Sequence, residues 1–299
     1  MLLQELEKKK LAHPPEWLAC NTHYLTIMGS VAYGVSSDTS DMDLYGFCIP
    51  KKDMVFPHLA GKLVGFDEDL GTFDQWQQHH IKDESAMGGK GREYDFQIFS
   101  IVKFFKLLMD NNPNIIDSLF TPINCVLHCT RIGTIVRDNR KLFLHKGAWH
   151  RFKGYAYSQL HKMAGKNPEA GSKRAALRES HGFDVKYAYH IVRLINEVEQ
   201  ILAEGDLDLQ RNNEQLKAIR RGDWTEKQIR DYFTQKEKSL ESLYNESKLQ
   251  YEPDKAKIKQ LLMHCLEEHF GSLDKCVVNQ DASTEALREI KAILSRHGI

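Results

Sequence analysis

The run GSVAYGVSSDTSDMD, residues 29–43, restricts the possible folds of this chain more than any other segment. Gly29-Ser30 is followed by ten residues and then by Asp41-Met42-Asp43, two acidic residues separated by one. The stretch before it, His23 to Met28, is rich in β-branched, aromatic and aliphatic residues and reads as a strand. The stretch after it alternates, with Asp41, Asp43, Tyr45 and Phe47 on one face and Met42, Leu44, Gly46 and Cys48 on the other. Two carboxylates one residue apart on a strand point into a shared space. Their mutual repulsion is costly unless a cation lies between them.

The Gly-Ser end complements the acidic end. A glycine after a strand lets the backbone turn tightly and approach a ligand, and the amides around it can cradle phosphate oxygens. The Ser30 hydroxyl adds one more donor. Hard dications such as Mg²⁺ take carboxylate oxygens and keep positions for water and phosphate. Each half alone has an ordinary reading, a polar turn or a solvated edge-strand pair. Together, at this spacing after a strand, they describe a site for a nucleoside triphosphate with Mg²⁺. No Gly-Lys-Ser/Thr closes a Walker A loop, and no G-x-G-x-x-G is present.

With these residues the chain resembles the DNA polymerase β-like nucleotidyltransferase superfamily, whose signature is Gly-Ser, a spacer and Asp-x-Asp. It is more similar still to the branch that contains the RNA repair pathway-associated nucleotidyltransferases. Three stretches carry that likeness: GSVAYGVSSDTSDMDLYGF (29–47), FSIVKFFKLLMDNNPNIIDSLFTP (99–122) and DVKYAYHIVRLINE (184–197). It extends from about residue 15 to about residue 225. The resemblance implies transfer of a nucleoside monophosphate from an NTP to an acceptor hydroxyl, with release of pyrophosphate and two Mg²⁺ ions.

It also implies a third acidic residue on a neighbouring strand. Asp95, in the alternating segment Glu93 to Phe99, is the first choice, with Glu93 on the same face as runner-up. Asp67, Asp69 and Asp74 read as a solvated acidic turn. The expected catalytic and metal-binding set is therefore Asp41, Asp43 and Asp95, with Gly29 and Ser30 at the triphosphate. Lys186, His190 and Arg193, at i, i+4 and i+7, share one helix face. A basic row is commonly a solvated face. The likeness of that helix to the branch assigns Lys186 to the triphosphate and His190 and Arg193 to the nucleotide or acceptor. Lys173, Arg174 and Arg178 form a second basic cluster, suited to acceptor binding or to a solvated helix start. Tyr33 and Tyr45 flank the signature and fit either base stacking or core packing.

Along the chain, strand patterns at 23–28, 42–49 and 93–99 give way to helical periods: Ser100 caps a helix, Asn112-Pro113 opens another, and helical segments follow from 130 to 270. Residues 50–81 mix signals and cannot be ordered, and 82–92 read as a loop or hairpin tip. The expected class is α+β: a nucleotidyltransferase domain over 1–128, with a mixed sheet and helices, followed by an all-helical domain over 129–299.

Forty-one basic and 41 acidic residues give no net charge, so contact with RNA has to come from local patches. The six cysteines form no C-x-x-C pair and read as free thiols of a reducing cytoplasm. The charged N-terminus does not read as a signal peptide, and no apolar run reaches the roughly 20 residues of a membrane span. The branch points to an RNA acceptor, a tRNA end or a nicked RNA. A protein hydroxyl is the alternative, followed by a small molecule or a catalytically inactive nucleotide-binding module. Base preference and oligomeric state are not legible.

Overall fold

The computed structural model describes residues 1–36, 41–165 and 181–273, and then 290, 291, 293, 294, 296 and 297. The basic cluster Lys173, Arg174 and Arg178, Cys276, most of the loop expected at 165–173 and part of the signature spacer (37–40) lie outside the described residues.

A single mixed sheet organises the first half. Its strands are β1 (Thr22–Ile27), β2 (Met42–Cys48), β3 (Gln75–Asp83), β4 (Arg92–Ser100) and β5 (Val126–Cys129). The spatial order is β3-β4-β2-β1-β5. Only the β2–β4 pair is parallel; β1–β2, β1–β5 and β3–β4 are antiparallel. Alternation along β2 and β4 feeds two apolar layers. Leu44, Cys48, Phe96 and Ile98 pack beneath the first helix, α1 (Leu2–Lys8), with Leu3, Leu6 and Leu18. Phe47 and Phe99 face the other way, into the larger core with Phe104 and Phe105.

Short turns α2 (Gly29–Ala32), α3 (Lys52–Val55) and α4 (Ala86–Gly89) fill the connections. Helix α5 (Ile101–Met109) starts where Ser100 Oγ accepts the Lys103 amide at 3.2 Å, and α6 (Pro113–Phe120) starts at an Asn112 cap. Then follow α7 (Arg131–Asp138), α8 (Ala148–Gly165), α9 (Val185–Glu204), α10 (Asn213–Arg221), α11 (Glu226–Glu246) and α12 (Lys255–Phe270). The α+β expectation holds. The larger core is continuous from Tyr24 and Phe47 to Ile195, Phe233 and Leu266, so apolar packing crosses the seam expected near residue 128. No described helix is long and apolar enough to cross a membrane.

Helix α12 returns to the sheet. His269 Nδ1 lies 3.0 Å from His23 Nε2, Arg131 pairs with Glu268 at 3.2 Å, and Phe56 meets Phe270 edge-on. Burial, with His269 and His128 nearby, pushes the His23 imidazole down to about 4. The unfolded chain therefore takes up a proton at His23 near pH 6.5 that the native state refuses until about pH 4. Stability falls as pH drops through that window. Acidification from pH 7 to 5 should cost about 2 kcal/mol through this residue. Urea titrations at both pH values should show that loss in the wild type and a smaller one in His23→Gln.

Candidate active site

The signature folds as a strand, a tight turn and a second strand around one point. β1 ends at Ile27, the Met28 amide donates to the Asp43 carbonyl at 2.7 Å, and Gly29 turns the chain with φ +66°. A Cβ at Gly29 would stand 2.3 Å from Asp43 Oδ2, so the side chain of β2 occupies the space a larger residue would need. Glycine is required here for both backbone and contact. The amides of Gly29 and Ser30 open α2, where a first turn has no intrahelical acceptor for them. Gly29→Ala should lower stability by about 1–2 kcal/mol. By displacing the Asp43 carboxylate it should also reduce turnover roughly 100-fold. Denaturant melts and initial rates check the two effects separately.

Parallel pairing of β2 with β4 sets Asp43 directly opposite Asp95. Asp41 sits exposed just before β2. Burial pushes the Asp43 carboxyl above its ordinary range. Asp95 and Asp41 push it the same way, while Lys186 and His79 oppose them. Asp43 and Asp95 stand opposite each other in register, Asp41 is within electrostatic reach of Asp43, and Lys186 and His79 offset part of the charge of these three hard oxygen donors. That donor set, beside a turn a Cβ would fill, fits Mg²⁺.

The sequence-derived residues divide. Lys186 is exposed in the first turn of α9, whose N-cap is Asp184, and its ammonium acts electrostatically on Asp43. His190, one turn on, is half-buried with its ring 4.1 Å from that of Tyr189. Arg193 corrects the expectation of a nucleotide contact. It is 4% exposed, its guanidinium is paired with Asp117 and with both Glu197 oxygens at 3.0 Å, and it lies 4.3 Å above the Tyr33 ring. α9 is buried nearly all round, so its third basic position faces the core. Tyr33 is a core residue too, donating to Asp117 at 2.8 Å. Tyr45, half-buried and within electrostatic reach of Asp43 and of Tyr155 on α8, has its phenol pushed up to about 12, mainly by burial. Asp67 and Asp69 accept nearby amides, of Leu63 at 2.7 Å and Gly71 at 2.8 Å, as local turns do.

Sequence reasoning missed the wall that β3 supplies. Gln78 pairs with Phe96 and Ile81 with Tyr94, so His79 and His80 together oppose Asp95. This is a β-bulge, with His80 at φ 57°. The His80 amide donates to Asp95 Oδ1 at 2.7 Å, His80 Nδ1 meets Glu93 Oε1 at 2.5 Å, and His79 Nδ1 lies 3.7 Å from Asp95. The bond to Glu93, then the two carboxylate charges, raise the His80 imidazole above its ordinary value. The signal was a change of phase: Trp76 and Gln78 point inward, then Ile81 and Asp83. Also missed were the residues that hold the signature from the helical side. Gln210 Nε2 donates to the Ala32 carbonyl at 3.1 Å and Arg220 Nη1 to the Val35 carbonyl at 2.5 Å.

A family model described as the RNA repair pathway DNA polymerase beta family matches residues 2–275. An uncharacterized 38.9 kDa protein of the nrdC-mobD intergenic region of Enterobacteria phage T4 is 28% identical over 155 residues. That match covers 50% of this chain, and the chain spans 40% of that relative's length. A crystal structure of a nucleotidyltransferase-like protein from Exiguobacterium sibiricum aligns over 82% of this chain and 75% of its own. It does so at 9% identity and a TM-score of 0.28, too loose a superposition to bear on the site.

Proposed function

We propose that this chain, which belongs to the RNA repair pathway DNA polymerase beta family, is a Mg²⁺-dependent nucleotidyltransferase that adds a nucleoside monophosphate to an RNA hydroxyl. The observation that carries the reading is Asp43 standing in register with Asp95 beside the Gly29 turn. Two Mg²⁺ ions, held by Asp41, Asp43 and Asp95, would supply charge neutralisation to the triphosphate. The Gly29 and Ser30 amides and the Ser30 hydroxyl hold phosphate oxygens. Lys186 faces the leaving pyrophosphate, and His190 contacts the nucleotide. The Asp95 carboxylate takes the proton of the acceptor hydroxyl. The oxygen bonds to the α-phosphorus as the bond to the β-phosphate oxygen breaks, and pyrophosphate departs with that electron pair. Positioning and charge account for the chemistry, and no covalent enzyme intermediate is needed.

The family description supports the RNA acceptor. The test is incubation with each α-labelled NTP, total RNA and cell lysate. Label in RNA with stoichiometric pyrophosphate supports the reading, label in protein moves the acceptor to a side-chain hydroxyl, and no label with any nucleotide rejects transfer. Lys186→Ala should weaken NTP use roughly 10- to 150-fold, the value of one charge-assisted phosphate contact at about 1.5–3 kcal/mol, whereas Lys186→Arg retains most of it. Rates across an NTP series measure both.

A further inference from the structure

The β3 bulge brings two side chains that nucleotidyl transfer does not use, His80 and Glu93, up to Asp95, which it does. His80 Nδ1, a Glu93 carboxylate oxygen and an Asp95 carboxylate oxygen all lie within 4.8 Å of one another. They come from two adjacent strands, and each is at least partly open to solvent. Glu93 and Asp95 are two residues apart on β4, so their charges share one face. The extra residue in β3 puts both His79 and His80 opposite that face, with His79 Nδ1 3.7 Å from Asp95.

We infer that His80, Glu93 and Asp95 form a second cation site, which takes a transition-metal dication of the Mn²⁺–Zn²⁺ class. The distinction from the Asp41–Asp43 pair lies in the donor atoms. That pair offers oxygen alone, which suits Mg²⁺. An imidazole nitrogen with two carboxylates is a set that Zn²⁺, Co²⁺ or Mn²⁺ accepts and Mg²⁺ does not favour. Three protein ligands also leave coordination positions open to water or substrate. The ligands are already gathered: a dication would displace the proton that His80 Nδ1 shares with Glu93 Oε1 and part that hydrogen bond, while the His80 amide holds Asp95 at 2.7 Å. Asp95 belongs to both sets, so an ion here stands next to the proposed catalytic pair. The site itself does not depend on the acceptor or on transfer.

The experiment is a calorimetric titration of the full chain with Zn²⁺, without nucleotide and in excess Mg²⁺. One equivalent should bind. His80→Gln and Glu93→Gln should each weaken that binding at least about tenfold, and Asp41→Asn should leave it unchanged. The visible absorption of Co²⁺ added to the wild type should gain intensity, and that gain should be lost in His80→Gln. Circular dichroism confirms that the variants are folded. No Zn²⁺ binding by the wild type in Mg²⁺, wild-type affinity in either His80→Gln or Glu93→Gln, or a loss that follows Asp41→Asn instead would each overturn the site. Transfer with Mg²⁺ alone is measured in parallel. Failure there with zinc still bound would reject the nucleotidyl reading and leave this one standing.

Discussion

Asp43→Asn is expected to abolish nucleotidyl transfer while the metal-free protein keeps or gains thermal stability. Asp43 faces Asp95 across the parallel pair, follows Asp41 by two residues and packs its Oδ2 against Gly29. An asparagine keeps this shape and removes the charge that would bind the triphosphate's cation. A loss of about 4 kcal/mol in the transition state corresponds to a rate on the order of a thousandfold lower. The stability effect has the opposite sign. Burial, then Asp95, raises the Asp43 carboxyl in the folded state. Such a group favours the fold only while protonated, below its unfolded value, and works against it once pH rises through the folded value. At neutral pH in EDTA the charged form is a cost that asparagine removes. Melting curves with and without Mg²⁺, alongside transfer rates, check both halves. An active variant, or one that melts well below wild type in EDTA, would overturn the assignment.

The largest stability effect is expected at Arg193. Its guanidinium lies between Asp117 and Glu197, 0% and 2% exposed, with the Tyr33 ring beneath it. Arg193→Ala strands two buried carboxylates and should cost about 3–5 kcal/mol, a large part of the 5–15 kcal/mol that holds a typical domain together. Burial raises both carboxyls. Without the guanidinium they are raised further, so the deficit is full at neutral pH and shrinks as acid protonates them. Urea denaturation from neutral pH into the carboxylate range measures this. A pH-independent deficit would point to lost packing alone. The network is not fully satisfied even in the native protein: among the described residues, Asp117 Oδ1 and Arg193 Nε have no hydrogen-bond partner.

Where the sequence was informative, one periodicity dominated. Alternation along residues 41–48 and 93–99 put Asp43 with Tyr45 and Phe47 and Asp95 with Gln97 and Phe99, the family resemblance made the two strands neighbours, and β2 pairs with β4 with Asp43 opposite Asp95. The caps at Ser100 and Asn112 and the helices from Ala148 onward were legible because capping and the helical repeat are local. Arg193 was misread because helical spacing reports direction, not what waits there. Two clues were available: Asp117 in the middle of the apolar run IIDSLF, and Glu197 one turn from Arg193. In 50–81 the short turns before Gln75 carry no period of their own, and the β3 bulge then shifts the alternation by one residue after Gln78. β5 is a four-residue edge strand, too short to show a pattern of its own.

The return of α12 to the sheet has a consequence for how the protein is made. Its partners are among the earliest parts of the chain: His23 on β1, and Phe56 before the hairpin. On the ribosome, β1 and β2 emerge long before Phe270 does, and synthesis proceeds at about 5–20 residues per second. For that interval the contacts of His23 with His269 and of Phe56 with Phe270 are unmade. The strands that hold the candidate site are thus translated before the helix that packs against them.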